Sequence, residues 1–495
     1  MRIKKDLISA QSWGIERTRE GYKINAQILI KRYLRLRHTA YDKRGAYYEF
    51  RNGFWNEKHI LTIIKLLCAI VNKFIPNICN RGTISDIKTF LPIKCFSFDK
   101  LKPAGGFINL TNGLLSLKTF RLRPHDIKYA SLVQLPFEYD PEAECPIFHK
   151  FLNEIFRGDN ELKLLIQEIM GYCLSPSTQA QKCFIFYSDG SSGKSVLCSI
   201  LHRLAGGDAN VSSVTLSNLN AKFTRAQLYG KVVNISTENE NSNFNSEALK
   251  SITSGDLIQI ENKYEKPFTA KLTAKLVFAM NNLPKPSDRT FALYRRLCLV
   301  PFLTKFVDNP HEGTNELKRD PNIEAKLIEE LPGILAWCIE GLKRLVANNY
   351  QFTKSIEAEK LMLEFRKDTT PVYAFIDECI SESQARMPER ISTNELYSAY
   401  NRWLEVNGIR GILGKREFLK HFRAGLAELN LPLAEGHSGK VRFFKNIYLS
   451  ERTNQQEIDA DDVLEDDNCL KTEDVAQDCN DVVNEDLDSE DYLDE

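Results

Sequence analysis

No stretch of this 495-residue chain approaches the roughly 20 consecutive apolar residues that cross a bilayer as a helix, so no membrane-spanning helix is expected. The opening MRIKKDLISAQSW lacks the hydrophobic core of a secretory signal. The expectation is a soluble, intracellular protein, in the cytoplasm or, if organelle-encoded, in the stroma. Cysteine is not scarce, at 12 residues, but no two form a C-x-x-C pair, and Cys173, Cys183, Cys198 and Cys298 sit inside apolar runs. That pattern argues against a zinc site and against a disulfide framework, and reads as buried free thiols in a reducing compartment. Basic residues nearly vanish from the C-terminal tail, where residues 451–495 hold 19 Asp and Glu against 2 Lys and Arg.

The formal net charge of zero therefore conceals two opposed parts. Residues 1–450 carry 64 basic and 47 acidic side chains, a net charge of +17. A basic body suits a polyanionic partner, because each neutralised phosphate releases condensed counterions. The acidic tail, with few aromatics and no apolar period, is expected to be disordered.

Length and a 43% hydrophobic content allow about three folded domains. The first, a mixed domain over 1–146, opens basic and helical (KRYLRLRH, Lys31 to His38) and continues through an aromatic, turn-rich segment from Tyr41 to Trp55. A helix over Ile60 to Phe74 is expected to present Leu61, Ile64, Leu67 and Ile70 on one face. Over 147–345 a helical connector leads into short apolar runs separated by helices: Cys183 to Tyr187, Lys231 to Ser236, Lys275 to Met280 and Leu297 to Phe302. Such runs read as buried strands of a largely parallel α/β sheet.

The third domain, over 370–449, has a capping box at Ser392-Thr393-Asn394-Glu395, opening a helix with Leu396, Tyr400, Trp403 and Leu404 inward. A second helix follows from about Gly414, presenting Lys415, Arg416, Lys420 and Arg423. A hairpin over His437 to Leu449 completes a winged-helix-like unit. Residues 450–495 form the acidic tail.

The strand Cys183 to Tyr187 runs into SDGSSGKS and then into a helix, the context a phosphate-binding loop requires. Within Ser188, Asp189, Gly190, Ser191, Ser192, Gly193, Lys194 and Ser195, the two glycines let successive N–H groups and the helix N-terminus face the phosphates of ATP. Lys194 reaches the β and γ phosphates and the Ser195 hydroxyl ligates Mg²⁺. Ser188 stands where the usual pattern has glycine or alanine, and is small enough to keep the turn.

Three further positions fall beside that loop. Glu238, with Glu240 as second choice, follows the strand Lys231 to Ser236, where an acid can hold Mg²⁺ through water and polarise the attacking water. Asn281 follows the strand Lys275 to Met280, where a neutral amide can orient that water without adding charge. Arg295 and Arg296 precede the strand Leu297 to Phe302, and an arginine at a subunit edge can neutralise charge on a neighbour's γ phosphate.

Taken together, these stretches resemble the helicase half of the phage, plasmid and poxvirus primase-helicase family, within superfamily 3. The resemblance is carried by ordered blocks: LTNGLLSLKT, RPHD, YDPEAECPIFHKFLNEIF, IMGYCL, SDGSSGKS, LYGKVVNISTENE, LKSITSGD and FAMNNLPKPSDRTFALYRRLCLVPF. It implies an AAA+-like P-loop ATPase core behind an N-terminal helicase-associated domain, assembled as a homo-hexameric ring with ATP between neighbours. By resemblance, Lys194 and Ser195 fall on Walker A, Glu238 on Walker B and Asn281 on the sensor position. Arg295-Arg296 fall on the stretch that supplies the arginine finger, with Arg296 favoured slightly.

The family also carries a DNA-gripping hairpin between Walker B and the sensor strand. Here that region offers Lys263, Lys266 and Lys271, interleaved with Tyr264 and Phe268. The segment upstream of Asn109 has no D-x-D pair and is short for a primase domain, so a separate primase or polymerase is the expected partner. The expected function is an ATP-dependent DNA helicase in replication of a phage, plasmid, virus or organelle-type genome, acting on single-stranded or forked DNA. The alternative is a DNA-binding replication-initiation ATPase without processive unwinding.

Overall fold

The computed structural model describes residues 10–237, 243–263, 267–286, 291–382, 390–409, 413–429, 431–439 and 441–449. These fall into two compact units, one extending to Thr370 and the other starting at Pro371.

In the first unit an antiparallel pair of short strands, Ile15–Thr18 and Gly21–Ile24, precedes helix α1 (Ala26–Leu36), which is capped by the Asn25 side chain accepting from the Ile28 N–H. Strands β1 (Thr39–Tyr41), β2 (Tyr47–Arg51) and β3 (Phe54–Lys58) follow, then helices α2 (Ile60–Asn72) and α3 (Arg81–Lys94) and strand β4 (Phe96–Ser97). The four strands form one sheet in the order β3-β2-β1-β4. Helix α2 buries Ile63, Ile64, Leu67 and Val71 and leaves Leu61 47% exposed, so the face expected from the sequence is rotated. A strict three-residue spacing drifts around a helix of 3.6 residues per turn, whereas steps of three and four keep one side. Cys68 and Cys79 are joined in a disulfide, with Cα atoms 5.5 Å apart, where the sequence suggested free thiols; the eight other described cysteines are free.

After a separate antiparallel sheet of Phe107–Leu110, Gly113–Ser116 and Leu122–Arg123 come α4 (Pro146–Ile155), α5 (Asn160–Leu174), strand β5 (Cys183–Tyr187), α6 (Lys194–Ala205), and strands β6 (Val211–Ser212) and β7 (Val233–Ser236). Helix α7 (Glu247–Ser254) precedes an antiparallel hairpin of β8 (Leu257–Ile260) and β9 (Phe268–Lys271). Strands β10 (Lys275–Met280) and β11 (Leu297–Pro301) complete a five-stranded sheet, β6-β7-β10-β5-β11, in which every pair is parallel. A small parallel ribbon of β12 (Lys305–Val307) and β13 (Glu316–Lys318) leads to helices α8 (Ile323–Glu329), α9 (Leu331–Ala347) and α10 (Ile356–Thr369).

Burial on both faces explains why the central strands are continuous apolar runs. Along β5, Phe184 and Phe186 enter a core with residues of α5, α6 and α9, while Cys183 and Ile185 enter the opposite core with α7 and α10. Helices α5 and α9 approach so closely that a Cβ added at Gly171 would lie 2.1 Å from the Cys338 carbonyl oxygen. One at Gly341 would lie 2.5 Å from that of Gln167. Arg344 of α9 seals the pair, donating to the carboxylate of buried Glu168 at 2.7 Å and to the side-chain oxygen of Gln167 at 2.8 Å.

Helix α4 has no side-chain cap from its neighbours in sequence; its first N–H groups are satisfied from afar. Ile147 and Phe148 donate to the two carboxylate oxygens of Glu330 at 2.9 and 2.8 Å.

The second unit consists of α11 (Pro371–Cys379), β14 (Ile380–Glu382), β15 (Arg390–Ser392), α12 (Thr393–Val406), α13 (Lys415–Glu428), β16 (Ala434–Ser438), β17 (Val441–Lys445) and β18 (Ile447–Leu449). Strands β15, β17 and β16 form an antiparallel sheet, and β14 pairs with β18. The Ser392 capping box is present on both sides: Glu395 N–H donates to the Ser392 hydroxyl, and the Ser392 N–H to the Glu395 carboxylate. Leu396, Tyr400, Trp403 and Leu404 are buried. Helix α11 and strands β14 and β15 are additions to the two helices and hairpin expected from sequence. The tail, 450–495, lies outside the described residues.

Candidate functional site

The glycine-rich loop leaves the C-terminal end of β5 and enters α6. In register, Tyr187 pairs with Met280, so the residues that follow, Ser188 and Asn281, emerge side by side from adjacent strands. That register brings Lys194 to Asn281. The Lys194 ammonium donates to the Asn281 side-chain oxygen at 3.0 Å, to the Ser188 carbonyl at 2.9 Å and to the Ser188 hydroxyl. Burial pulls the lysine below its ordinary range, an effect that nearby Asp189 opposes.

Ser188 does more than fit where glycine or alanine is usual. Its hydroxyl lies 2.6 Å from that of Ser192 and accepts from the Gly190 N–H at 3.3 Å, so it ties the two limbs of the loop together. Gly193 sits at φ +87, and a Cβ there would lie 2.9 Å from Ile155 of α4, so only glycine fits. Gly193 is the N-cap of α6 and supplies no side-chain acceptor, which leaves the first N–H groups of that helix for an anion.

The loop opens on a cavity of about 850 Å³, within the size range of small-molecule sites. Residues Gly190 to Val196 and Asn281 line one side. Ile147, Lys150, Phe151 and Glu154 of α4 line another, and Phe306, Lys318, Arg319, Asp320, Ile323 and Glu324 a third. The Ser195 side chain is exposed on the cavity wall, and a hydroxyl beside phosphate oxygens is a donor set of the hard-oxygen kind that magnesium takes. Ser188 is buried, whereas Asp189 is exposed and accepts from the Tyr187 hydroxyl at 3.4 Å.

The remaining candidates divide. Glu238, Glu240, Lys266 and Tyr264 lie outside the described residues. Lys263 and Lys271 are exposed on the β8–β9 hairpin and its connection. Arg295 is exposed, while Arg296 is 8% exposed and turns its guanidinium inward, donating to the Ala292 carbonyl at 2.7 Å and the Ser254 hydroxyl at 2.8 Å. Burial and adjacent Arg295 hold the Arg296 guanidinium below its usual range. Arg296, the slightly favoured candidate for reaching a neighbour, is thus the buried member of the pair and Arg295 the exposed one. In the second unit Arg423 is also committed, to the Glu435 carboxylate at 2.5 and 3.1 Å.

Sequence reasoning missed the cavity walls contributed by α4 and by the segment from Phe306 to Glu324. Within α4, Lys150 and Glu154, and Phe151 and Ile155, are four apart; that amphipathic spacing was the available signal. The ribbon segment carries no pattern that points to a nucleotide.

A parallel α/β sheet that delivers a lysine-bearing glycine loop and an asparagine to one cavity defines the class: a mixed α/β protein with a phosphate-loop-like site. More particularly, the chain resembles the helicase part of the phage, plasmid and poxvirus primase-helicase family. Residues 26–157 match the D5 N terminal like family and residues 367–465 the Poxvirus D5 protein-like family. Residues 186–296, from the phosphate-loop strand to the arginine pair, match a family of unknown function (DUF5906).

A protein of Acanthamoeba polyphaga mimivirus, named "Putative helicase L207/L206", is 20% identical over 440 residues, covering 77% of this chain. The chain spans 45% of the length of that relative. Among solved structures, an apo form of the NrS-1 C-terminal region aligns at a TM-score of 0.45 with 13% identity, covering 81% of this chain and 86% of that one. Another, of NrS-1 residues 305–718, aligns at 0.41 with 12% identity, covering 84% and 98%.

Proposed function

We propose that this chain is an ATP-dependent DNA helicase of replication, hydrolysing ATP at the interfaces of a homo-hexameric ring. One observation carries the reading: Lys194 and Asn281, separated by 87 residues, meet at 3.0 Å on the wall of a nucleotide-sized cavity at the sheet edge where helix α6 begins. The sheet order, with the phosphate-loop strand between β10 and β11, supports an AAA+-like core. The matches at both ends of the chain support a D5-type replication role. The second unit, three helices against a small antiparallel sheet, supports a winged-helix reading.

The chemistry follows from what each residue offers. Lys194 leaves its internal acceptors for the β and γ phosphates, and the α6 N-terminus adds its N–H groups. Ser195, with Glu238 through water, would hold Mg²⁺, which would supply charge neutralisation to the phosphates. Water attacks the γ phosphorus as Glu238 takes its proton, the bond to the β-phosphate oxygen breaks, and ADP and phosphate leave. Asn281 orients the water, and Arg295 of an adjacent subunit neutralises the charge that develops. Exposed Lys263 and Lys271 grip the DNA backbone.

The test is steady-state ATPase with and without single-stranded DNA, together with strand displacement on a fork. Lys194→Ala should lose ATP hydrolysis by 100-fold or more, on the order of the loss expected when transition-state charge stabilisation is removed, while keeping its circular dichroism spectrum. Wild-type turnover in the folded variant sinks the phosphate-loop assignment. DNA-stimulated ATPase without any strand displacement moves the function to a replication-initiation ATPase.

A further inference from the structure

The ribbon β12–β13 is fastened to the phosphate loop rather than merely near it. The Phe306 N–H donates to the Ser191 carbonyl at 2.7 Å, and the Arg319 N–H donates to the Val307 carbonyl at 2.9 Å, closing the ribbon beyond β13. Ser191 has φ +47, a left-handed conformation that a non-glycine residue keeps only when its surroundings hold it. The ribbon is thus one of the elements that hold the loop in shape, and it brings its own side chains into the same cavity.

Charge in that cavity is unevenly matched. Lys326 is paired with Asp320 at 2.6 Å, and Glu324 accepts from the Ser199 hydroxyl at 2.5 Å and approaches Arg203 at 3.5 Å. Lys150 is 3.9 Å from Glu154. Lys318 and Arg319 both line the cavity and are exposed, and among the described residues neither has an ion-pair partner. Beside them lie apolar Ile147, Phe151, Phe306 and Ile323. Two uncompensated cations next to an apolar wall, facing a phosphate loop, suit a ligand that is polyanionic at one end and flat and apolar at the other.

We propose that the ribbon is a nucleotide clamp acting within one chain: Lys318 and Arg319 contact the anionic part of a nucleoside triphosphate whose base rests against Phe306. This rests on reading SDGSSGKS as a phosphate loop, and adds two residues that no motif includes. A guanidinium donates in a fixed fork to phosphate oxygens, so Arg319 gives geometry as well as charge.

The measurement is equilibrium binding of N-methylanthraniloyl ATP and ADP to the full chain, with thermal melting as a check on folding. Lys318→Ala/Arg319→Ala should weaken ATP binding about 10-fold or more, with ADP weakened less and the melting temperature unchanged. The charge-keeping Lys318→Arg should stay within about 3-fold of wild type, whereas Arg319→Lys, which keeps the charge but loses the fork, should weaken ATP binding by more than that. Independently of any variant, saturating ATP should protect Lys318 of the wild-type chain from acetylation by an amine-reactive reagent. Wild-type affinity in the double alanine variant, or Lys318 labelling unaffected by ATP, overturns the clamp. If the wild-type chain binds ATP, Lys194→Ala does not, and the double alanine variant binds normally, the clamp alone fails. If the wild-type chain binds no nucleotide, the phosphate-loop reading fails with it.

Discussion

The Lys194 ammonium lies among oxygens of its own chain, and the Ser188 hydroxyl is the one among them that a glycine at that position would not provide. A buried ammonium needs such partners. Buried thiols pose the opposite problem, since they are stable only while neutral. Burial pushes Cys173 and Cys198 up to about 12 and Cys298 up to about 11, from an ordinary value near 9.0. Each folded value lies above the unfolded one, so the contribution is complete below about pH 9 and is lost as pH climbs toward 11 to 12. The unfolded chain gives up protons first, at a slope of up to about 1.4 kcal/mol per pH unit for each thiol. Denaturant unfolding at pH 7.5, 8.5, 9.5 and 10 should therefore show stability falling above pH 8.5. Cys198→Ala should make that fall shallower, and an equally steep fall in the variant would remove the thiol as its cause.

Among the elements, the α5–α9 pair depends most on what is missing from its surface. Alanine usually stabilises a helix relative to glycine by roughly 0.5–1 kcal/mol. At Gly171 the added methyl carbon would meet the Cys338 carbonyl at 2.1 Å, backbone against side chain with nothing flexible to yield. Gly171→Ala should thus destabilise by about 2–3 kcal/mol, the range of core overpacking. The sign decides: a variant as stable as wild type in urea unfolding means the helices can part without cost. That contact was not legible in IMGYCL, because a glycine inside a helical run does not say which carbonyl lies against it. The central strands were legible because burial on both faces leaves a continuous apolar run such as CFIFY. The face of α2 was misassigned through its period, and the β12–β13 ribbon went unread because its three-residue strands, KFV and ELK, mix charge with apolar residues. Within the site, Lys194 and Ser195 were readable from local spacing. The α4 and ribbon walls come from distant segments with no shared motif.

For the molecule as a whole, the proposed ring would place each site between two chains, with the exposed Arg295 as the side chain that crosses. An Arg295→Ala subunit should fail its neighbour while keeping its own Lys194. Mixed with Lys194→Ala subunits, it should recover part of the ATPase activity, since an arginine finger can be worth a factor of about 10³–10⁵. A mixture as inactive as either parent, with subunit exchange verified, removes the inter-subunit role. Arg296→Ala should instead behave as a folding variant, because its bonds to Ala292 and Ser254 are internal. Glu330 carries another consequence, for the order in which the protein is made. The amide of Ile147 is translated 183 residues before the carboxylate that caps it. At about 5–20 residues per second, helix α4 emerges from the ribosome on the order of 10–40 s ahead of its cap. During that interval the nascent chain already carries its phosphate loop, yet the back wall of the cavity is unfinished. Completion of the cavity is thus tied to the late arrival of Glu330, the residue that also opens α9.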